Sequence, residues 1–175
     1  HPVGLLAAEE DYLALLPAAG CFFALLAFPQ HRPFRNLACL DRLSPARRRR
    51  LLDHYHRLLQ RQAYSHAGAQ LLSKNAAFAS WAPYLSERYP DALFVVCVRE
   101  PAAALASQLV SVADARSLFA TFPHDADIEA LFAEFYRDWW PALADFARKA
   151  PVPPLVIEQE WLRGHTDEAL SLIYA

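Results

Sequence analysis

Blocks of apolar residues at helical spacing predict two long helices. Ser44-Pro45 combines a favoured N-cap with a favoured first helical residue, so a helix is predicted from Pro45 to about His66. Its buried face is predicted to comprise Leu51, Leu52, Tyr55, Leu58 and Leu59. A longer helix is predicted to follow Asp125, from about Ala126 to Lys149. Its buried stripe is predicted to comprise Ile128, Leu131, Phe132, Phe135, Trp139, Leu143 and Phe146.

Short apolar runs between the helical blocks predict three strands. Leu93 to Val98 is continuous, apolar and rich in β-branched residues, which is typical of a strand buried on both faces of a parallel sheet. Gln70 to Ser73 predicts a short buried strand that ends at Lys74, and Leu155 to Ile157 predicts a last one. Because strands alternate with helices, the predicted fold class is α/β, a three-layer parallel sheet flanked by helices.

Prolines and hydroxyl residues mark the remaining helices. A helix is predicted from Ala76 to Tyr89, with Pro83 either kinking it or beginning a second segment. Pro101 opens a helix from Ala102 to about Val112, and Thr166 is predicted to cap a last helix. Residues 1–43 give no clear assignment beyond acidic residues before an apolar stretch.

Composition narrows the class of protein. The 175 residues are 55% hydrophobic, which predicts one α/β domain over 1–175 with a packed core. A net charge of −2 does not indicate a nucleic-acid partner, and no apolar run is long enough to predict a membrane span. The three cysteines are widely spaced and form no metal motif, so we expect no metal and a reducing, cytoplasmic setting.

Two basic residues stand where parallel sheets bind ligands, at the carboxyl ends of predicted strands: Lys74 and Arg99. A phosphate suits Arg99 because the planar guanidinium matches phosphate oxygens in a bidentate fork. The helix opened by Pro101 is expected to offer free backbone donors nearby, and Ser107 a hydroxyl. A structural pairing of Arg99 with an Asp or Glu is the open alternative.

These residues lie in a block that resembles the centre of the PAPS-dependent sulfotransferases, where PAPS is 3′-phosphoadenosine 5′-phosphosulfate. The block runs from Leu72-Ser73-Lys74-Asn75 through Tyr89-Pro90-Asp91-Ala92 and the Leu93–Val98 run to Arg99-Glu100-Pro101 and Ser107. The resemblance implies a P-loop-NTPase-like fold in which Arg99 and Ser107 hold the 3′-phosphate of the donor. Lys74 is a further candidate to contact the donor. The sequence departs from the family pattern at two positions, with Ala76 where the family has Pro and Glu100 where it has Asp.

The resemblance also implies an activity: transfer of a sulfuryl group from PAPS to a hydroxyl or amine of a small-molecule, lipid or glycan acceptor. Glu9 and Glu10 are the candidates for the base, ahead of Asp11, within an acidic segment similar to one in the prokaryotic-type branch. The alternative for these acids is a place in the first turn of a helix, where its dipole favours negative charge.

The family's phosphosulfate-binding loop is not found in the sequence. The chain holds four Gly, none clustered, and it begins at His1 without any Met. We therefore expect the sequence to be incomplete at its N-terminus, with that loop upstream. A P-loop nucleotide kinase and a non-catalytic nucleotide-binding α/β module are the rival interpretations.

Overall fold

The computed structural model describes residues 11–119 and 125–174. The chain divides into two compact units, His1–Phe78 and Ala79–Ala175, and each is described by itself. The single domain over 1–175 stays a prediction.

The first unit is built from helices and helical turns. Its α-helices are α1 (Tyr12–Leu15), α2 (Arg32–Arg35) and α3 (Pro45–Ser65). Short 3₁₀ turns connect the first two and lead into the third: Leu16–Ala18, Phe22–Leu26, Asn36–Ala38 and Leu40–Arg42. Helix α1 packs against α3, and α2 packs beside the turn over residues 22–26.

Helix α3 confirms the sequence prediction closely. The Ser44 hydroxyl accepts a hydrogen bond from the backbone N–H of Arg47 at 3.4 Å, as an N-cap does. Leu51 and Tyr55 are buried, while Leu52, Leu58 and Leu59 are half-buried. A Cβ on Gly20 would lie 2.6 Å from Leu51 Cδ2, so the glycine permits a close approach to the helix.

The prediction of a buried strand over Gln70 to Ser73 was wrong. These residues form an exposed segment without regular structure, and Leu72 is 83% exposed. A strand needs a neighbouring strand to accept and donate its backbone hydrogen bonds. Within the described part of the chain, no strand pairs with this segment.

The second unit contains the described sheet and five helices. Its elements, in chain order, are α4 (Ala82–Arg88), β1 (Val95–Val98), α5 (Pro101–Phe119), α6 (Asp125–Lys149), β2 (Leu155–Glu158), α7 (Gln159–Gly164) and α8 (Thr166–Tyr174). A 3₁₀ turn, Ala76–Ser80, precedes α4, so Pro83 begins a second segment as one of the two predicted options. Helix α5 continues seven residues beyond the predicted end at Val112.

Strands β1 and β2 pair in parallel, with Val95 opposite Leu155 and Val98 opposite Glu158. Both strands were predicted, which supports the α/β class. The prediction that β1 is buried on both faces was wrong, because Cys97 is exposed and Val96 only half-buried. In the described ranges each strand has one neighbour, so the wider three-layer sheet stays a prediction.

The core of the second unit lies along α6, which packs against α4 and α5. Six of the seven predicted stripe residues are buried, and Leu143 is half-buried. The capping role predicted for Thr166 was wrong, because Thr166 is the first residue of α8 and the His165 carbonyl accepts the first helical bond, from the Ala169 N–H at 2.9 Å. Across the described residues, no helix has the length and apolar character needed to cross a membrane.

Candidate functional site

Arg99 follows β1 directly, at the carboxyl end of the strand, and its side chain is half-buried. It makes no hydrogen bond or ion pair with any residue that the structure describes. The alternative in which a described Asp or Glu pairs with it therefore fails. A half-buried guanidinium favours an anionic ligand, because burial has removed part of its water and no residue in the described ranges takes the place of that water.

Tyr136, on α6, lies within electrostatic reach of Arg99. Burial raises the pKa of the Tyr136 hydroxyl, and the Arg99 charge partly lowers it. The hydroxyl therefore stays protonated at neutral pH and can donate. The sequence did not indicate this residue, since the apolar stripe of α6 identifies the buried face but not which polar side chain lies near β1.

Glu100 corrects the prediction of free backbone donors at the start of α5. Its carboxylate accepts hydrogen bonds from the backbone N–H groups of Ala102 at 3.0 Å and Ala103 at 2.6 Å. These two bonds, aided by the Arg99 charge, lower the pKa of Glu100. An anion bound to Arg99 must therefore find its other donors elsewhere than at these two amides.

The Glu100 cap predicts a pH-dependent stability. Because the folded pKa lies below the ordinary value, the capping contribution is present above about pH 4.5 and is lost as the pH falls through the folded pKa. Glu100→Ala should melt at a lower temperature than the unmodified protein at pH 7, and the difference should shrink towards pH 3. Melting curves across this range test it, with exposed Glu87→Ala as control. A constant difference would contradict a titrating cap.

Ser107 places a hydroxyl on the surface of α5. It is exposed, and its hydroxyl has no hydrogen-bond partner among the described residues. A helical rise of about 1.5 Å per residue places its Cα about 9 Å along the axis from Pro101. A phosphate touching both Arg99 and Ser107 would therefore lie beside the first two turns of α5. Ser111, one turn later, instead donates to the Gln108 carbonyl at 2.8 Å.

The other candidates belong to the first unit or lie outside the description. Glu9 and Glu10 lie outside the described residues, so their predicted role is unchanged. Lys74 is exposed, and its carbonyl accepts a hydrogen bond from the Asp11 backbone N–H at 3.0 Å. Lys74 belongs to the first unit, whereas Arg99 and Ser107 share the second.

Three side chains meet beside Lys74 in a group that we call the Asp11 cluster: Asp11, Tyr55 and Ser73. The hydroxyls of Tyr55 and Ser73 donate to Asp11 Oδ2, at 2.6 and 2.5 Å, and lie 2.6 Å from each other. The sequence indicated Tyr55 only as a core residue. One signal was available, because a buried tyrosine hydroxyl usually has a hydrogen-bond partner.

Two other kinds of chemistry to consider among the described residues are a metal site and the buried thiol of Cys21. Within residues 11–119 and 125–174, no three His, Cys, Asp or Glu side chains are grouped so that they could hold a metal ion. Burial raises the pKa of the Cys21 thiol to about 11, so this cysteine stays protonated at neutral pH and is a poor nucleophile.

The described site thus defines an α/β protein with a half-buried arginine at the carboxyl end of a parallel strand, where open α/β sheets bind ligands. The model of the sulfotransferase family matches residues 22–174. The chain belongs to the sulfotransferase family, and this membership supports a sulfotransferase activity. No curated protein and no solved structure matched the chain.

Proposed function

We propose that this protein transfers a sulfuryl group from PAPS to a hydroxyl or amine of a small-molecule, lipid or glycan acceptor. The observation that carries the proposal is Arg99, which is half-buried after β1 in a sulfotransferase chain and has no hydrogen-bond or ion-pair partner among the described residues. Membership of the family does not by itself name the donor. The guanidinium, which no described residue pairs with, adds a preference for a doubly charged anion whose oxygens accept two parallel N–H bonds, such as the 3′-phosphate of PAPS.

Each proposed donor contact has a chemical reason. Arg99 offers parallel N–H groups to the 3′-phosphate, and Ser107 offers a hydroxyl beside the same helix. Lys74 offers a compact positive charge to the phosphosulfate end of the donor. By resemblance to the family, we also propose that the protein has a phosphosulfate-binding loop and that further strands complete a P-loop-like sheet.

In the proposed reaction the sulfuryl group passes directly from donor to acceptor, and the protein forms no covalent bond with it. The acceptor oxygen or nitrogen forms a bond to sulfur while the bond from sulfur to the bridging oxygen breaks, and 3′-phosphoadenosine 5′-phosphate (PAP) leaves. Cations that meet the charge on the leaving phosphate favour this step, as in phosphoryl transfer. A base takes the acceptor proton, and we propose Glu9 or Glu10 for this role, worth roughly 10²–10⁴ in rate.

Calorimetric binding of three nucleotides tests the donor. We expect PAP to bind about 10- to 150-fold tighter than adenosine 5′-phosphate, because only PAP carries the 3′-phosphate that a charge-assisted contact of about 1.5–3 kcal/mol would hold. ATP with Mg²⁺ should gain nothing over adenosine 5′-phosphate. Preferential binding of ATP would instead favour the nucleotide-kinase interpretation.

A second measurement separates an enzyme from a binding module. PAPS should be consumed with formation of PAP when hydroxyl- and amine-bearing acceptors are supplied. Tight PAP binding, combined with sulfuryl transfer to none of a broad set of phenols, aliphatic alcohols, sugars and amines, would favour a non-catalytic nucleotide-binding module.

Ser107→Ala should weaken PAP binding by about 2- to 13-fold, because one hydroxyl contact contributes about 0.5–1.5 kcal/mol. Adenosine 5′-phosphate should be unaffected. Ser111→Ala is the matched control on the same helix, since the Ser111 hydroxyl already donates to the Gln108 carbonyl. Equal effects of the two alanines would show that Ser107 has no particular contact with the donor.

A further inference from the structure

The segment that carries Lys74 pairs with no strand among the described residues. Residues 70–74 are exposed and form no ladder in the described part of the chain, although a charged donor contact needs a fixed position. Instead of the backbone bonds of a sheet, two hydrogen bonds with Asp11 hold this segment. Its backbone N–H donates to the Lys74 carbonyl at 3.0 Å, and its carboxylate accepts from the Ser73 hydroxyl at 2.5 Å.

Tyr55 connects this segment to the body of the first unit. It is 2% exposed on α3, and its ring packs edge-on against Phe78 with centroids 5.1 Å apart. Its hydroxyl donates to the same carboxylate oxygen, Asp11 Oδ2, at 2.6 Å. Hydrogen bonds to a charged oxygen are stronger than neutral ones, so a rigid helix holds Asp11, and Asp11 holds residues 73 and 74.

We propose that the Asp11 cluster is a positioning device for Lys74. The cluster holds the backbone of Ser73 and Lys74 so that the Lys74 ammonium is presented to the 5′-phosphate end of the donor nucleotide. Tyr55, Asp11 and Ser73 are positioning residues and do not themselves touch the donor. This inference rests on the proposed function. It goes beyond it by assigning the fixed position of Lys74 to three side chains that sequence reasoning did not group.

The test is a binding cycle on the full chain, with Tyr55→Phe, Lys74→Ala and the double variant. Tyr55→Phe keeps the buried ring and removes only the hydroxyl. The ligands are PAP, which has both phosphates, and adenosine 3′-phosphate, which lacks the 5′-phosphate. We expect Tyr55→Phe to weaken PAP binding by about 3- to 30-fold through lost preorganisation. Adenosine 3′-phosphate should change less than about twofold, because it lacks the group that Lys74 meets.

The double variant separates positioning from general damage. In the Lys74→Ala background, Tyr55→Phe should have no further effect on PAP binding, because the charge it positions is gone. Tyr64→Phe is the matched control, since Tyr64 lies on the same helix but is 90% exposed. Should Tyr55→Phe fail to fold, as judged by circular dichroism, Ser73→Ala at an exposed position replaces it in the same cycle.

Four results would overturn the inference. Equal weakening of both ligands, or additive effects in the double variant, would show that the cluster only stabilises the fold. PAP binding that depends on Arg99 but not on Tyr55 would remove the cluster from donor binding and leave the proposed function standing. Absence of PAP binding by the unmodified protein would overturn the proposed function and this inference together.

Discussion

Replacing Arg99 with alanine is expected to weaken PAP binding by about 10- to 150-fold. A charge-assisted hydrogen-bonding contact contributes about 1.5–3 kcal/mol, and this loss corresponds to that range of affinity. The effect should fall mainly on the 3′-phosphate, so adenosine 5′-phosphate should bind almost equally to both proteins. Isothermal titration calorimetry at fixed salt measures it, because interactions between charges weaken as ionic strength rises.

Two further variants sharpen this prediction. Arg99→Lys keeps the charge but loses the planar fork, so it should bind PAP with an intermediate affinity. Arg148→Ala is the control, since Arg148 is exposed and already pairs with Asp145 at 3.2 Å. If Arg99→Ala binds PAP as tightly as the unmodified protein, the donor is not held at the end of β1. The proposed function then loses the observation that carries it.

Replacing Phe135 with alanine is expected to lower the free energy of unfolding by about 3–5 kcal/mol. The side chain is 1% exposed in the middle of α6. Its ring centroid lies 5.7 Å from that of Trp139, in a stacked arrangement, and 5.9 Å from that of Phe132. Truncation leaves a cavity among aromatic rings on a helix, where collapse is difficult. Urea unfolding followed by circular dichroism measures the loss.

The control for the core prediction is Phe28→Ala, the same substitution at a side chain that is 60% exposed. It should cost about 1 kcal/mol or less, because most of its surface already faces water. A loss at Phe135 no greater than at Phe28 would contradict the packing of α6. It would also weaken the placement of Tyr136 near Arg99, since both depend on the same helix.

The long helices could be predicted because their signals are local. Ser44-Pro45 carries an N-cap and a helix start within two residues, and the apolar spacing identifies the buried face of α3 without knowledge of its partner. The stripe of α6 was predicted for the same reason. Only Leu143 is less buried than expected.

The strand at residues 70–73 was mispredicted because strand formation is not local. An apolar run of that length fits a strand or an exposed segment equally well, and a neighbouring strand decides between them. The same limit explains the burial of β1. Its apolar side chains, Val95 to Val98, predicted two covered faces, but coverage depends on the elements that pack against it.

The Glu100 cap was a signal that sequence reasoning overlooked. A helix that opens at Pro101 places Glu100 at the N-cap position, where its carboxylate can accept from the first backbone N–H groups that we had predicted to be free for a ligand. The Asp11 cluster had a weaker signal. Its members are separated by 44 and 62 positions from Asp11, so the sequence could indicate that Tyr55 needs a partner but not which one.

The sequence by itself determined the α/β class, the two long helices, the two paired strands and the location of Arg99 directly after an apolar strand. These features follow from capping, periodicity and the order of residues along the chain, which act over a few positions. Only the tertiary structure decided that Arg99 has no described partner, that Glu100 occupies the first amides of α5, and that Asp11 joins Tyr55 to Ser73. Each of these depends on which distant or competing groups come within hydrogen-bonding distance, and that is set by packing.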